Sequence, residues 1–412
     1  MPILKLHLEN VGPFDKLELD LTDGKGNAHL GPHILAGVNG SGKTTVLRAI
    51  AWHLAREGSG FDEVSWAEFL GKRENCRSDL TFGDSLPGGR TQRLVPASGL
   101  NIHLQSEQLY SDLGPVAAYA PNPVLRRIPQ PPIGYQSGLR PNWLSFEQSA
   151  SNESVQAFWM HAFLREAVLK NGDRATHAID ALRHVIKNTL GEDEGFNPGI
   201  NVDEPFAQPV VHFRDLKLNF SQLAAGFSAT LGWVVDYLLR QESHPWPKGR
   251  PGLIMIDEIE THLHPQWQRR ILNGIRAAFP TTQIIVTTHS PFVVSSCESA
   301  RVHVLKLDKQ GRAFLDRSID NADALSVAGT IQDVFEIASR FGPEIEGRLR
   351  KWNELKKRDS AGMLSAKEKA ELKKRTRDLA SRGEELAHMV HEPVLSEALL
   401  EELIEAASSK RR

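Results

Sequence analysis

Apolar and polar residues alternate over residues 3–8 and again over 17–21, with Asn10-Val11-Gly12-Pro13-Phe14 between them. This period of two predicts a β-hairpin at the start of the chain. His33-Ile34-Leu35-Ala36 is a short apolar run that ends at a glycine, as a buried strand does. Residues 45–55 then change to helical spacing, with Val46, Leu47, Ile50 and Leu54 on one face. Residues 56–150 are rich in Gly, Pro and Ser and carry only short strand-like pieces, 100–104 and 116–119; the proline-rich stretch 121–141 reads as loop. Helices are expected over 152–169 and 174–190, and a second irregular patch over 191–209.

From residue 210 the pattern tightens. Strands are expected at 210–213 and 216–220, and a long helix over 224–240. Leu253-Ile254-Met255-Ile256 is wholly apolar and follows Pro-Gly, which suits a parallel strand covered on both faces. A helix over 265–279 and another apolar strand at 284–287 complete a strand–helix–strand unit, the mark of an α/β sheet. Beyond about residue 320 the chain becomes strongly charged. Ser365-Ala366-Lys367-Glu368 is a capping box that starts a helix, and a last helix is expected over 394–407. The pattern divides the chain into 1–320, with an insert at about 56–209, and a helical region 321–412.

Composition narrows the field only a little. The 412 residues are 40% hydrophobic and 24% charged, enough for a large core, and the formal net charge of -2 makes no global case for a polyanionic partner. Two cysteines, Cys76 and Cys297, form no CxxC pair and suit a reduced, cytoplasmic protein. No apolar stretch reaches the about 18 residues a membrane-spanning helix needs.

Three segments carry chemistry. Gly37-Val38-Asn39-Gly40-Ser41-Gly42-Lys43-Thr44 matches GxxxxGK[ST] at every fixed position, between an expected strand and an expected helix. Its glycines let the backbone turn N–H groups inward, so that Asn39, Gly40, Ser41, Gly42, Lys43, Thr44 and Thr45 form an anion cradle at a helix N-terminus. Lys43 would reach the β- and γ-phosphates of ATP, and the Thr44 hydroxyl would ligate Mg²⁺. Second, Leu253–Ile256 runs into Asp257 and Glu258, at the strand end where open α/β sheets bind ligands. Asp257 would hold Mg²⁺ and Glu258 would orient the attacking water. Third, Ile284-Ile285-Val286-Thr287-Thr288-His289-Ser290-Pro291 is an apolar strand with a polar end, and His289 would hydrogen-bond the γ-phosphate or the water. His262-Leu263-His264, two histidines without a third ligand nearby, is a poor zinc pattern.

Taken in order, these segments resemble the ABC-type ATPases, and the RecF-, SMC- and OLD-like group in particular. Asp257-Glu258-Ile259-Glu260-Thr261-His262-Leu263-His264-Pro265 is similar to that group's DE-x-x-x-HLHP segment, and Val286-Thr287-Thr288-His289-Ser290-Pro291 to its switch strand. The hairpin with Asn10-Val11-Gly12-Pro13-Phe14 resembles its opening. The resemblance implies an α/β P-loop NTPase fold: an ABC-type nucleotide-binding domain with an inserted helical lobe and a C-terminal helical appendage. It also implies an LSxG signature whose match here is Leu223-Ala224-Ala225-Gly226, with Ala224 in place of the serine and Gly226 left to serve a phosphate held by a second subunit. A homodimer or higher homo-oligomer follows from that sharing. The family's Mg²⁺-sensing glutamine has no clear counterpart; Gln136 is a weak match.

Between Arg348 and Arg382 stand thirteen Lys/Arg against five Asp/Glu. Such a patch fits the phosphate backbone of DNA or RNA without reading sequence; it equally fits a solvated helical hairpin that docks on another protein. Stand-alone ATPases of the resembled group include subunits of phage-defence systems, Septu-type and retron-linked ones among them, that work beside a separate nuclease or toxin. Three roles therefore stay open: the regulatory or sensor ATPase of a defence complex, a DNA-repair ATPase that clamps DNA, and an ATP-held scaffold with little turnover.

Overall fold

The computed structural model describes residues 2–29, 31–54, 75–83, 90–94, 116–119, 124–126, 142–144, 148–150, 159–160, 173–190, 196–201, 208–213, 215–219, 252–320, 322–324, 326–335 and 341–391, and scattered positions between 222 and 241. The chain divides into two compact units, Met1–Glu336 and Ile337–Arg412.

The first unit opens with the hairpin of β1 (Ile3–Val11) and β2 (Phe14–Asp20), turned at Val11 opposite Phe14. β3 (His33–Gly37) leads through the glycine-rich loop into α1 (Lys43–His53). Short strands follow: β4 (Arg77–Phe82), β5 (Arg90–Leu94), β6 (Val116–Tyr119), β7 (Val124–Arg126), β8 (Asn142–Leu144) and β9 (Gln148–Ala150). α2 (Asp173–Leu190) precedes an antiparallel set of three, β10 (Phe196–Asn201), β11 (Gln208–Phe213) and β12 (Leu216–Asn219). Residues 232–238 are helical. Then come β13 (Leu253–Ile256), α3 (Pro265–Gln268), α4 (Ile271–Ala278), β14 (Gln283–Thr288), α5 (Pro291–Val294), β15 (Arg301–Leu307), β16 (Ala313–Asp320) and α6 (Val327–Asp333).

Eleven strands form one mixed sheet in the order β5-β4-β1-β2-β16-β15-β3-β14-β13-β6-β8. From β15 to β8 neighbouring strands are parallel; on the other flank β5-β4-β1-β2 and β16-β15 pair antiparallel, and β2 meets β16 in parallel. The apolar runs are explained by burial on both faces. Ile34, Ile254, Ile256, Ile284 and Val286 point into one core with α2, α4 and the helical residues 232–238. Leu35, Leu253, Met255 and Ile285 point into the other with Val46, Leu47 and Ile50 of α1. This is an α/β P-loop fold.

Four differences from the sequence pattern have local causes. The helix expected over 265–279 is two pieces, α3 and α4. At the break the Gln268 side chain is tied down: Nε2 donates to Leu263 O at 2.8 Å and Oε1 accepts from Ser290 Oγ at 2.6 Å. β10 lies in the patch read as irregular because Pro198 and Gly199 mask its period; it is an edge strand, where a missing N–H is tolerated. The insert at 56–209 supplies β4, β5, β6 and β8 to the main sheet as well as helix α2. β15 and β16 complete the sheet from a stretch given no element in the sequence reading. The expected strand at 100–104, most of the helix at 152–169 and the helix at 394–407 lie outside the described residues.

The second unit is a helical assembly of α7 (Pro343–Ser360), α8 (Ala366–Ala380) and α9 (Glu384–His391). Leu349, Trp352, Leu372, Leu379, Leu386 and Val390 form its small core, and Trp352 Nε1 donates to Thr376 Oγ1 at 2.8 Å. The capping box at Ser365 and Glu368 is formed. No helix among the described residues is long and apolar enough to cross a membrane.

A histidine network ties β3 to β15 at the end of the strands away from the glycine-rich loop. His33 and His303 are fully buried. His33 Nδ1 and His303 Nε2 lie 3.1 Å apart, His33 Nε2 lies 3.2 Å from His29 O, and His303 Nδ1 lies 2.8 Å from Ser318 Oγ. One set of neutral tautomers satisfies all three contacts: His33 Nε2–H donates to the carbonyl, and His303 Nε2–H donates to His33 Nδ1. Burial pushes His33 well below the ordinary imidazole value, with His303 and His29 adding to it. Burial, and then Arg301, push His303 down to about 3, against the opposing pull of Asp320 and Asp20. Unfolded imidazoles titrate near 6.5, so below that pH the unfolded chain takes up protons that the folded chain refuses. Stability should therefore fall on acidification, by on the order of 1–2 kcal/mol per histidine between pH 7.5 and 5.5. Urea unfolding at the two pH values should show a drop of about 3 kcal/mol from this pair; equal stabilities would contradict the neutral network.

Candidate functional site

The loop after β3 is shaped by close packing. Gly37 ends the strand, and a Cβ there would strike the carbonyl of Leu305 on β15. Gly42 caps α1 in the left-handed region, φ 86°, and a Cβ there would run into the ring of Phe14 from the hairpin. No side chain caps α1, so its first N–H groups open onto the loop. Asn39 and Gly40 are exposed at the loop tip, Thr45 is half-buried, and Ser41 is buried. Ser41 Oγ has no hydrogen-bond partner among the described residues. Lys43 folds back on the loop: Nζ donates to Gly37 O at 3.0 Å and Val38 O at 2.9 Å. Burial lowers its pKa to about 8, while Asp257, Glu260 and Glu258 pull it the other way.

The strand-end carboxylates meet this loop. Thr44 Oγ1 lies 3.1 and 3.0 Å from the two carboxylate oxygens of Asp257. Thr287 on β14 donates its hydroxyl to Asp257 Oδ1 at 2.5 Å and accepts the Glu258 N–H at 2.7 Å. Asp257 N also donates to Tyr119 O at 2.9 Å, so the turn after β13 is held from both neighbouring strands. Glu258 sits in the left-handed region, φ 49°, a conformation a non-glycine residue adopts only under constraint. Thr261 Oγ1 donates to its carboxylate at 3.4 Å.

His289 follows directly on β14 and is partly buried. Burial and the nearby Lys43 lower its pKa, and Asp257 opposes them, which sets the imidazole beside the loop and the carboxylates. Glu260 anchors this segment: its carboxylate accepts the His289 N–H at 2.5 Å and the Thr288 hydroxyl at 2.7 Å. Burial raises the Glu260 pKa against those two hydrogen bonds.

Lys43, Thr44, Asp257, Glu258 and His289 thus gather at the carboxyl ends of β3, β13 and β14. The donor set fits Mg²⁺. Two oxygen ligands at adjacent corners of a Mg²⁺ octahedron stand about 2.9 Å apart, close to the spacing of the Thr44 hydroxyl from Asp257. The orphaned Ser41 hydroxyl and the open N-terminus of α1 suit an anionic ligand beside it. Gly226 and Gln136 lie outside the described residues.

Comparison with known proteins agrees with this geometry. Residues 5–92 match a family model described as an AAA domain. Residues 159–295 match an AAA domain family whose description names AbiEii toxin and Type IV TA system. Each contributes one half of the site. These matches and the fold support an ABC-type P-loop ATPase. Among curated relatives, the Septu protein PtuA of Bacillus thuringiensis is 23% identical over 81% of this chain and 83% of its own length. The Escherichia coli protein named "Retron Ec83 probable ATPase" is 30% identical over 32% of this chain, and the match spans only 24% of that protein. Among solved structures, the SMC head domain from Thermotoga maritima aligns over 78% of this chain and 99% of its own, at 14% identity and a TM-score of 0.41.

Three groups in this site have no assigned role in the sequence reading. Thr287 was noted only as part of a polar strand end, yet it bridges the two acidic residues. Glu260 enters there only as a variable position of the DE-x-x-x-HLHP segment, and Gln268 has no role in it. The available signal was the length of the polar run: an acid at 260, two threonines and a serine beside apolar strands need partners when buried. Thr287→Val keeps the shape but leaves the Glu258 N–H unpaired. A loss of about 1–3 kcal/mol in urea unfolding is expected, and Thr287→Ser should recover most of it.

Proposed function

We propose that the first unit binds ATP and hydrolyses it to ADP and phosphate with Mg²⁺, as the regulatory or sensor ATPase of an anti-phage defence complex in the bacterial cytoplasm. The observation that carries the ATPase reading is the Thr44 hydroxyl at 3.0–3.1 Å from the Asp257 carboxylate, with Glu258 next in the chain. The phosphates take the place of the Gly37 and Val38 carbonyls as partners of Lys43, whose ammonium is then restored by their charge. Ser41, the loop N–H groups and the N-terminus of α1 complete the cradle. Asn39, Gly40, Gly42 and Thr45 shape it. Thr44 and Asp257 would hold Mg²⁺, which would supply charge stabilisation for the phosphates. Glu258 accepts the proton of a water that attacks the γ-phosphorus in line, as the bond to the ADP oxygen breaks. His289 donates to the γ-phosphate or to that water. Gly226 in the signature segment serves the site of a second subunit, so a homodimer or larger homo-oligomer is the active form.

The defence role rests on the relatives. A Septu protein matches 81% of the chain and 83% of its own length, and a retron ATPase is 30% identical over 32% of the chain. A separate effector, a nuclease or a toxin, would act on the state of the nucleotide. Ala224, in place of the signature serine, favours a second reading in which ATP holds an oligomer together with little turnover.

Two variants test these readings. Lys43→Ala should weaken ATP binding at least about tenfold, the worth of a charge-assisted contact; unchanged affinity would remove the ATPase assignment. Glu258→Gln should keep ATP affinity and lower turnover by about 10²–10⁴. Negligible wild-type turnover with ATP-driven assembly would favour the scaffold.

A further inference from the structure

The charged second unit hides an asymmetry that its composition does not reveal. On α8 each of the three acidic residues is already engaged in an ion pair. Glu368 pairs with Arg358 at 2.7 Å and closes the capping box with Ser365. Glu371 pairs with Arg375 at 2.8 Å. Asp378 pairs with Arg348 at 2.7 Å and Arg382 at 3.5 Å. All three acids are half-buried, whereas Lys367, Lys369, Lys373, Lys374 and Arg377 are exposed. None of these five has an ion pair among the described residues.

At 100° per residue, Lys373, Arg377, Lys374 and Lys367 fall within an arc of about 120°, and Lys369 extends one edge. Ala366 and Ala370 are the uncharged residues inside the arc. The result is a strip about 15 Å long that carries five positive charges and no acid. Lys369, Lys373 and Arg377 follow one another at i,i+4 spacing, where like charges destabilise a helix. Folding alone does not favour that arrangement. The buried Leu372 and Leu379 hold the strip outward, and the Trp352–Thr376 hydrogen bond fixes the rotation of the helix.

We propose that the outer face of α8 is a docking surface for the phosphate backbone of a nucleic acid. A strip of about 15 Å spans about four nucleotides of rise along one strand, so four or five cations meet a comparable number of phosphates. The face offers no exposed aromatic side chain for stacking on bases: Trp352, the one aromatic residue on α7, α8 or α9, is buried. Binding is therefore independent of sequence and rests on the backbone. A bilayer is a poorer match, since two alanines, Ala366 and Ala370, supply almost no apolar surface between the lysines. This surface does not depend on the ATPase reading.

The test uses the full chain and a labelled 30-base-pair duplex of arbitrary sequence, with binding followed by fluorescence anisotropy across a KCl series. Log K should fall against log salt with a slope of about -4, from about four or five contacts. The fourfold variant Lys367→Gln, Lys373→Gln, Lys374→Gln and Arg377→Gln should lose at least tenfold in affinity and flatten the slope to about -1, the contribution left to Lys369, with an unchanged urea midpoint. The variant Lys367→Arg, Lys373→Arg, Lys374→Arg should bind as the wild type does, which separates loss of charge from loss of fold. Equal duplex binding by the glutamine variant would overturn the proposal. So would tighter binding to polyglutamate or to anionic vesicles than to the duplex.

Discussion

The site hangs from the register of three parallel strands. Ile256 on β13 lies opposite Val286 on β14, and Val286 lies opposite Ile34 on β3. One residue further on, Asp257 comes level with Thr287, and the glycine-rich loop begins just beyond. A slip of a single position would turn every core side chain to the wrong face and carry Asp257 away from Thr44. That register is secured by burial on both sides of the sheet: Ile34, Ile256 and Val286 feed one core, Leu35, Met255 and Ile285 the other. Apolar packing distributed over the sheet thus fixes polar distances of about 3 Å at its edge.

Charge balance shows why the polar edge needs so many hydroxyl groups. Asp257, Glu258 and Glu260 all act on one ammonium, that of Lys43. Left to themselves, three carboxylates around a single buried cation would repel one another. Thr44 and Thr287 spread the charge of Asp257 over two hydroxyl contacts, and Thr288 with the His289 N–H does the same for Glu260. The remaining negative surplus suits a divalent cation more than a second lysine, because a cation leaves when the ligand does and a lysine would fill the cradle.

The parts of this arrangement that the sequence made legible are those encoded locally. Gly37 to Thr44 is one contiguous pattern whose physics is complete within eight residues. Asp257 and Glu258 announce themselves because an apolar run stops at them. The central strand–helix–strand unit and the charged helical region could be read for the same reason, since hydrophobic period is a local property. Glu260 and Thr287 were not legible as they now stand, because their partners lie 29 and 30 residues away in sequence and only the sheet brings them together. Among strands, β10 was masked by Pro198 and Gly199, and β4 and β5 by the Gly- and Pro-rich composition around them. In each case tertiary pairing overrides a weak local signal.

The two units differ in how their chemistry is stabilised. In the first, the groups that matter are buried and shared: Thr287 serves both acidic residues, and Glu260 serves two residues at the end of β14. A change there alters folding and chemistry together, since a buried donor that loses its partner costs about 1–3 kcal/mol. In the second, the core of Leu349, Trp352, Leu372 and Leu379 is apolar, and the acids that could offset the lysines are already committed to arginines. The exposed lysines contribute little to that core, so their charge is free to vary at small cost to folding. Charge on α8 is therefore a property that can be changed at small cost to the core of its own unit, whereas no residue of the strand-end cluster offers that independence.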